Sequence, residues 1–244
     1  MSLPALPILA PDDLCLFQSL QTLFMEDLEN EIIQTVLSVI TPGTPRTVLS
    51  VTDRNWPRHL QGYSPPRNIQ ELRTALQIQP HNIDTPVFGK MWLPDHGDVL
   101  CSLFAFLPAL TTIYLDEQSL DRKMLVNLTR RPYIPHSEID LPHLHRIYIS
   151  RSTIYIDAQT AFKNMLSNHL LEELVLGGSF SEIVHSKDSE PGSGVQSSYE
   201  THDIAGLDVR ATPIKNWLRE NVPKLTLLGS VEPVRFKSTE WLLW

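Results

Sequence analysis

One phrase occurs twice in this chain. "LPALTTIYLDE" runs from Leu107 to Glu117, and "LPHLHRIYISR" from Leu141 to Arg151. Both read Leu-Pro-x-Leu-x-x-Ile-Tyr, followed by Leu or Ile. An apolar pattern that returns while the polar letters change marks stacked structural units, and it constrains the fold more than any single segment does. The core of the phrase is Leu-x-x-Leu-x-Leu. Leu110, Ile113 and Leu115 fill it, as do Leu144, Ile147 and Ile149. Leu171, Leu174 and Leu176 form a third copy, and Leu20, Leu23 and Met25 a fourth. The spacing is irregular: 34 residues from Leu110 to Leu144, then 27 to Leu171.

In an extended segment alternate side chains share a face, so Ile113 and Leu115 point together while Thr112, Tyr114 and Asp116 point the other way. A lone strand of this kind cannot bury its apolar side, but stacked copies cover one another. Between the copies the period changes to that of a helix. "EQSLDRKMLVNLTRR" places Leu120, Met124, Leu125 and Leu128 on one stripe. "DAQTAFKNMLSNH" does the same with Ala158, Ala161, Phe162, Met165 and Leu166, and Asp157 is its expected N-cap. "ENEIIQTVLSVI" carries Ile32, Ile33, Val36, Leu37 and Ile40, and "TPGTP" ends it. "HGDVLCSLFAF" carries Val99, Leu100, Leu103 and Phe104, with Asp98 at its start.

Further strands are expected at 46–53, with Val48 and Leu49 beside Val51, and more weakly at 76–79. The rest of 55–94 reads as an irregular repeat with long loops. "LVLGG" reads as a strand that turns at Gly177 and Gly178. Residues 185–203 are polar and rich in Gly and Ser, with too little apolar surface to offset ordering, and are expected to be a disordered loop. A helix starts at Thr212 and Pro213. A degraded last strand follows, with Leu225 and Leu228. Residues 211–244 form a capping segment, whose "EWLLW" would cover the exposed end of the stack. The expected fold class is therefore α/β. It is a single domain over 1–244, a leucine-rich-repeat solenoid or horseshoe with irregular strand–helix repeats.

Composition narrows the function classes. The 244 residues are 42% hydrophobic, enough for a real core, and the net charge is −8. That acidity disfavours nucleic acid and anionic membrane surfaces as partners. Cys15 and Cys101 sit in apolar contexts and read as small buried hydrophobes rather than a disulfide framework. The start "MSLPALPILAPDD" lacks the positive region of a signal peptide, and no apolar run approaches a membrane span. A soluble protein of the cytoplasm or nucleus is the expectation.

Catalytic constellations do not assemble on paper. "PDHGD" brings Asp95, His96 and Asp98 together, but an apolar helix follows at once and capping explains them. His143 and His145 share a strand face with His136 upstream, yet a structural zinc needs four ligands. "GGSF" lacks the Gly-Lys-Ser/Thr of a phosphate loop, and there is no G-x-S-x-G elbow. No catalytic residue, cofactor or metal is expected.

The recurrent "LPxL" strands, the helix after each, the "TPGTP" and the closing "EWLLW" resemble fungal F-box/leucine-rich-repeat proteins, most closely the expanded families of basidiomycetes. The resemblance covers roughly 16–180 and the C-terminal thirty or so residues. It implies an α/β horseshoe that holds a protein substrate on its repeats while an F-box docks on a Skp-cullin ubiquitin ligase. The opening "LPALPILAPDDL" departs from the Leu-Pro-x-Glu-Leu/Ile phrase of an F-box, and the first repeat begins by Leu16 to Leu20. No F-box is recognisable, so the resemblance supports the recognition role and leaves a Skp-type adaptor doubtful.

The expected binding surface is the strand face opposite the core. Thr112, Tyr114 and Asp116 would stand beside Arg146, Tyr148 and Ser150, then Glu173 and Val175, with Thr22, Phe24 and Glu26 extending the row. Stacked tyrosines suit protein interfaces. They also stabilise neighbouring strands with no ligand present. The expected function is a non-enzymatic protein–protein interaction module. The alternatives are a small α/β enzyme of hydrolase or transferase type, since strand–helix alternation alone permits one, and a truncated non-functional paralogue.

Overall fold

The computed structural model of the protein describes residues 22–26, 28–39, 46–51, 74, 76, 83–89, 103–104, 106–129, 141–185, 197–206, 212–234 and 242–243. Within them the copies of the phrase become strands: β1 (Thr22–Glu26), β4 (Thr112–Asp116), β6 (Arg146–Tyr155) and β7 (Glu173–His185). β2 (Arg46–Val51) and β3 (Ile83–Phe88) fill the gap between the first and second of these. β5 (Ser119–Leu120), β8 (Ser197–Asp203), β9 (Lys224–Leu228) and β10 (Leu242–Leu243) complete a sheet of ten described strands. The order across it is β10-β1-β2-β3-β4-β6-β7-β8, with β5 on β6 and β9 on β7. Every pairing is parallel except β7 with β8.

Among the described residues four helices have both ends defined and alternate with the strands: α1 (Asn30–Val39), α2 (Arg122–Leu128), α3 (Gln159–Ser167) and α4 (Thr212–Asn221). Their apolar stripes and one face of the sheet form a single core. Ile33 and Leu37 from α1, Leu125 from α2, Phe162 from α3 and Leu218 from α4 join Met25, Leu49, Leu115, Ile149 and Leu176. Phe24, Val48 and Val175 are buried but stand outside that cluster, because they project from the other face. The molecule is a mixed α/β protein with a mostly parallel sheet.

The expected pairing of the two tyrosine-bearing phrases holds residue for residue: Thr112 with Arg146, Ile113 with Ile147, Tyr114 with Tyr148, Leu115 with Ile149, and Asp116 with Ser150. Just beyond, the backbone does something the pattern did not announce. Glu117 (φ 53°), Arg151 (φ 47°) and Gly178 (φ 117°) all adopt the left-handed region. Each lies seven residues after the first leucine of its copy: Leu110, Leu144 and Leu171. Between β6 and β7 this is a bulge, since Ile149 pairs with Leu176 but Ser152 with Gly178. Pairing then resumes, and Leu120, Ile154 and Phe180 form a second buried row. Gln118 and Ser152, both almost fully buried, satisfy backbone groups next to these left-handed residues. The Gln118 N–H donates to Ser152 Oγ (3.0 Å), Ser152 Oγ to the Ser150 carbonyl (2.7 Å), and Gln118 Nε2 to the Asp116 (2.8 Å) and Gly89 carbonyls.

Several expectations need correction. Residues 197–203 are not a disordered loop. They form β8, antiparallel to the second half of β7, while 186–196 lie outside the described residues. A strand at the rim gains its order from backbone pairing and needs no apolar side chains of its own. β7 does not turn at Gly177 and Gly178 but shifts register there and continues to His185. The strand after α1 and β2 is "IDTPVF" at 83–88, whereas Leu76 is helical and buried and 77–79 lie outside the described residues. Asp157 does not cap α3. It sits in a 3-10 turn (Ile156–Ala158) that leads into the helix, and the Ala158 cap makes no side-chain hydrogen bond. α2 starts at Arg122, capped by Asp121, which accepts from the Met124 N–H at 2.7 Å, so Leu120 joins the core from a strand. In β9 it is Leu225 and Leu227, not Leu228, that pack on the core. The C-terminal strand pairs with β1, at the opposite edge of the sheet from β9.

Candidate functional site: the strand face opposite the helices

On the face away from the helices the side chains form cross-strand rows. One row reads Ser50, Val87, Tyr114, Tyr148, Val175 and Thr226, with Glu26 on β1 paired to Ser50. The next runs Thr112, Arg146, Glu173 and Lys224. Phe24, Val48 and Thr85 continue it at the other end, each buried. Thr22 lies one pair further down β1, opposite Arg46. β2 and β3 stand between β1 and β4. They add Val48, Ser50, Thr85 and Val87, which sequence reasoning did not place on this face.

Tyr114 and Tyr148 stack face to face, with ring centroids 4.2 Å apart and planes 6° from parallel. The Tyr148 hydroxyl donates to Glu173 Oε2 (2.9 Å), and Lys224 Nζ meets Glu173 Oε1 at 2.6 Å. A chain of contacts therefore crosses β4, β6, β7 and β9. Burial, with Tyr148 close by, pushes the Tyr114 hydroxyl well above the ordinary tyrosine range. Burial and the bond to Glu173 raise Tyr148 as well. Burial opposes ionisation of Glu173, but the Lys224 ammonium and the Tyr148 hydroxyl outweigh it and lower that carboxyl. Arg146 is exposed and makes no ion pair among the described residues.

At the upper end Asp116 gathers donors. Ser150 Oγ donates to its Oδ1 (2.7 Å), as does Arg151 Nε (2.9 Å), while Arg151 Nη2 reaches Oδ2. Arg151 Nη1 also pairs with Glu117 Oε1 at 2.8 Å. The two left-handed residues at equivalent repeat positions, one acidic and one basic, thus hold each other. The Asp116 bond raises the Arg151 pKa further.

The described histidines form no metal-binding group. His145 Nδ1 meets Glu172 Oε1 at 3.1 Å, linking the start of β6 to that of β7. His169, which sequence reasoning passed over, is buried between elements. Its Nδ1 accepts from the Leu144 N–H (3.3 Å), and its Nε2 donates to the Leu128 carbonyl (2.9 Å). This is a neutral imidazole that ties the end of α2 to the start of β6. Among the described residues no group of three His, Cys, Asp or Glu is placed to hold a metal ion. Cys15, Asp95, His96, Asp98, Cys101 and His136 lie outside the described residues. No described helix is long and apolar enough to cross a membrane.

No protein-family model matches the sequence, and no curated protein or solved structure matches it significantly.

Proposed function

We propose that this chain is a non-enzymatic protein-recognition module, built as a leucine-rich-repeat solenoid whose strand face receives a protein partner. The observation that carries the reading is the Tyr114–Tyr148 stack, set beside the exposed Arg146 on a face outside the helix-packed core. Flat aromatics and an arginine are the side chains that anchor protein interfaces. The solenoid reading draws support from the strand order, since β1 to β4, β6, β7 and β9 follow one another in chain order. A doubly wound enzyme reverses its strand order at a switch point, where it binds its ligand. Recurrence of the left-handed residue at one repeat position adds to this. In the F-box/leucine-rich-repeat setting the partner is a ligase substrate.

The test is affinity capture from a cell extract with the folded chain and with a Tyr114→Ala/Arg146→Glu double variant. Partners retained by the first and lost by the second place recognition on this face. An identical set from both removes it. Cullin-ligase adaptors among the captured proteins support the ligase link, and their absence drops that link alone.

A further inference from the structure

The two edges of the sheet are finished differently. At one edge β10 lies against β1. At the other, β9 pairs with the first half of β7, and its far side meets no described strand. The packing registers the gap. Leu174 and Leu176 of β7 are fully buried, whereas Leu225 and Leu227, their partners on β9, are only half-buried although they belong to the same core. We infer that a second copy of this chain fills the gap, the two copies pairing β9 to β9, antiparallel, about a two-fold axis at Thr226.

The backbone directions fit. The Lys224 N–H donates to the Glu172 carbonyl at 3.2 Å, so Lys224 turns its N–H inward, toward β7. Alternation along the strand turns Thr226 and Leu228 the same way and points the polar groups of Leu225 and Leu227 outward. With Thr226 on the axis, Leu225 of one copy faces Leu227 of the other, and the reverse. Both are outward-pointing residues, so each pair exchanges two N–H···O bonds, and Thr226 meets Thr226 at the closer, non-bonded position. The side chains are self-complementary in the same register. Leu225 and Leu227 of the two copies close over one another on the helix side, so the two cores become continuous. On the opposite side threonine faces threonine, a favourable cross-strand pair. Lys224 is already matched by its own Glu173 and faces Leu228 of the second copy, so like charges do not meet. β9 carries no proline and no inward charge to discourage such pairing. β8, which finishes the same edge, does carry Glu200, His202 and Asp203.

Sedimentation velocity on the full chain across the micromolar range tests this. A concentration-dependent dimer is expected. Thr226→Arg sets two cations at the closest cross-strand pair and should weaken the dimer by roughly tenfold or more. Mixing Thr226→Arg with Thr226→Glu should restore a dimer containing one of each. Thr226 is exposed, so both variants should keep the wild-type circular dichroism and melting curve. A wild-type chain that stays monomeric throughout, or a dimer indifferent to Thr226→Arg, overturns the inference.

Discussion

The rings of Tyr114 and Tyr148 lie 4.2 Å apart and within 6° of parallel, although 34 residues of chain separate them. The strands they stand on are held together from the core side by Ile113, Leu115, Ile147 and Ile149. The stack adds a second grip on the opposite face. Tyr148→Phe keeps the ring and loses only the hydrogen bond to Glu173, at a cost of about 1 kcal/mol. Tyr148→Ala loses the stack as well, for about 2 kcal/mol in all. Urea unfolding of the two variants separates these effects, and equal losses would count against the stack.

Both hydroxyls are harder to ionise in the folded chain than in the unfolded one. The folded state therefore keeps protons that the unfolded state releases. Their contribution is complete below the ordinary tyrosine value of about 10 and is lost as pH rises past it toward the folded values. Unfolding measured from pH 9 upward should show stability falling. Tyr114→Phe should fall less steeply over that range, and a slope unchanged by this substitution would refute the assignment.

Glu173 has the opposite sign. Its folded pKa is lowered, so its contribution is present above the ordinary glutamate value of about 4.3 and disappears as pH falls through the folded value. Glu173→Gln should be less stable than the wild type at neutral pH and should converge with it in acid. Parallel acid limbs for the two proteins would show that Lys224 and Tyr148 do not depend on this charge.

Thr47 stands between Leu23 and Ile83 in the core rows, fully buried, and its hydroxyl finds no hydrogen-bond partner among the described residues. Thr47→Val replaces an unsatisfied oxygen with a methyl group of similar size. A gain of about 1 kcal/mol is expected in thermal or urea unfolding. A loss would mean that the oxygen is in use.

Gly178 is required twice over. Its φ of 117° is one that side chains rarely adopt, and a Cβ there would come 1.9 Å from the Ser152 carbonyl oxygen. Gly178→Ala should cost about 3 kcal/mol or more, because the obstacle is the Ser152 backbone rather than a side chain that could move. Tolerance of alanine at this position would mean that the β6–β7 bulge is not rigid.

The parts of the fold legible in the sequence are those where burial dictates the letters. Ile113, Ile147 and Leu174 recur because each covers its neighbour, so the register of β4 on β6 and of β6 on β7 could be read directly. β3 was hidden because Pro86 lies inside it, and proline argues against a central strand. The structure accommodates it because the paired residues of β3 and β4 are Val87 with Tyr114 and Phe88 with Leu115, just beyond the proline. β8 was hidden because a rim strand such as "SSYETHD" needs no apolar alternation. At the candidate site the tyrosine ladder could be anticipated, but the Tyr148–Glu173–Lys224 chain could not. It depends on where β9 lands, and a degraded strand does not announce its neighbour. His169 gave no such signal, because Ser167 and Asn168 precede it and Glu172 and Glu173 follow two leucines later.

β10 has a consequence for synthesis. It completes the edge of β1, pairing Leu242 with Phe24 and Leu243 with Met25. The ribosome makes those partners 218 residues apart. At roughly 5–20 residues per second, Phe24 and Met25 wait about 10–40 seconds for their last neighbour. Until then the β1 edge that β10 will cover stays open to whatever chain lies nearby.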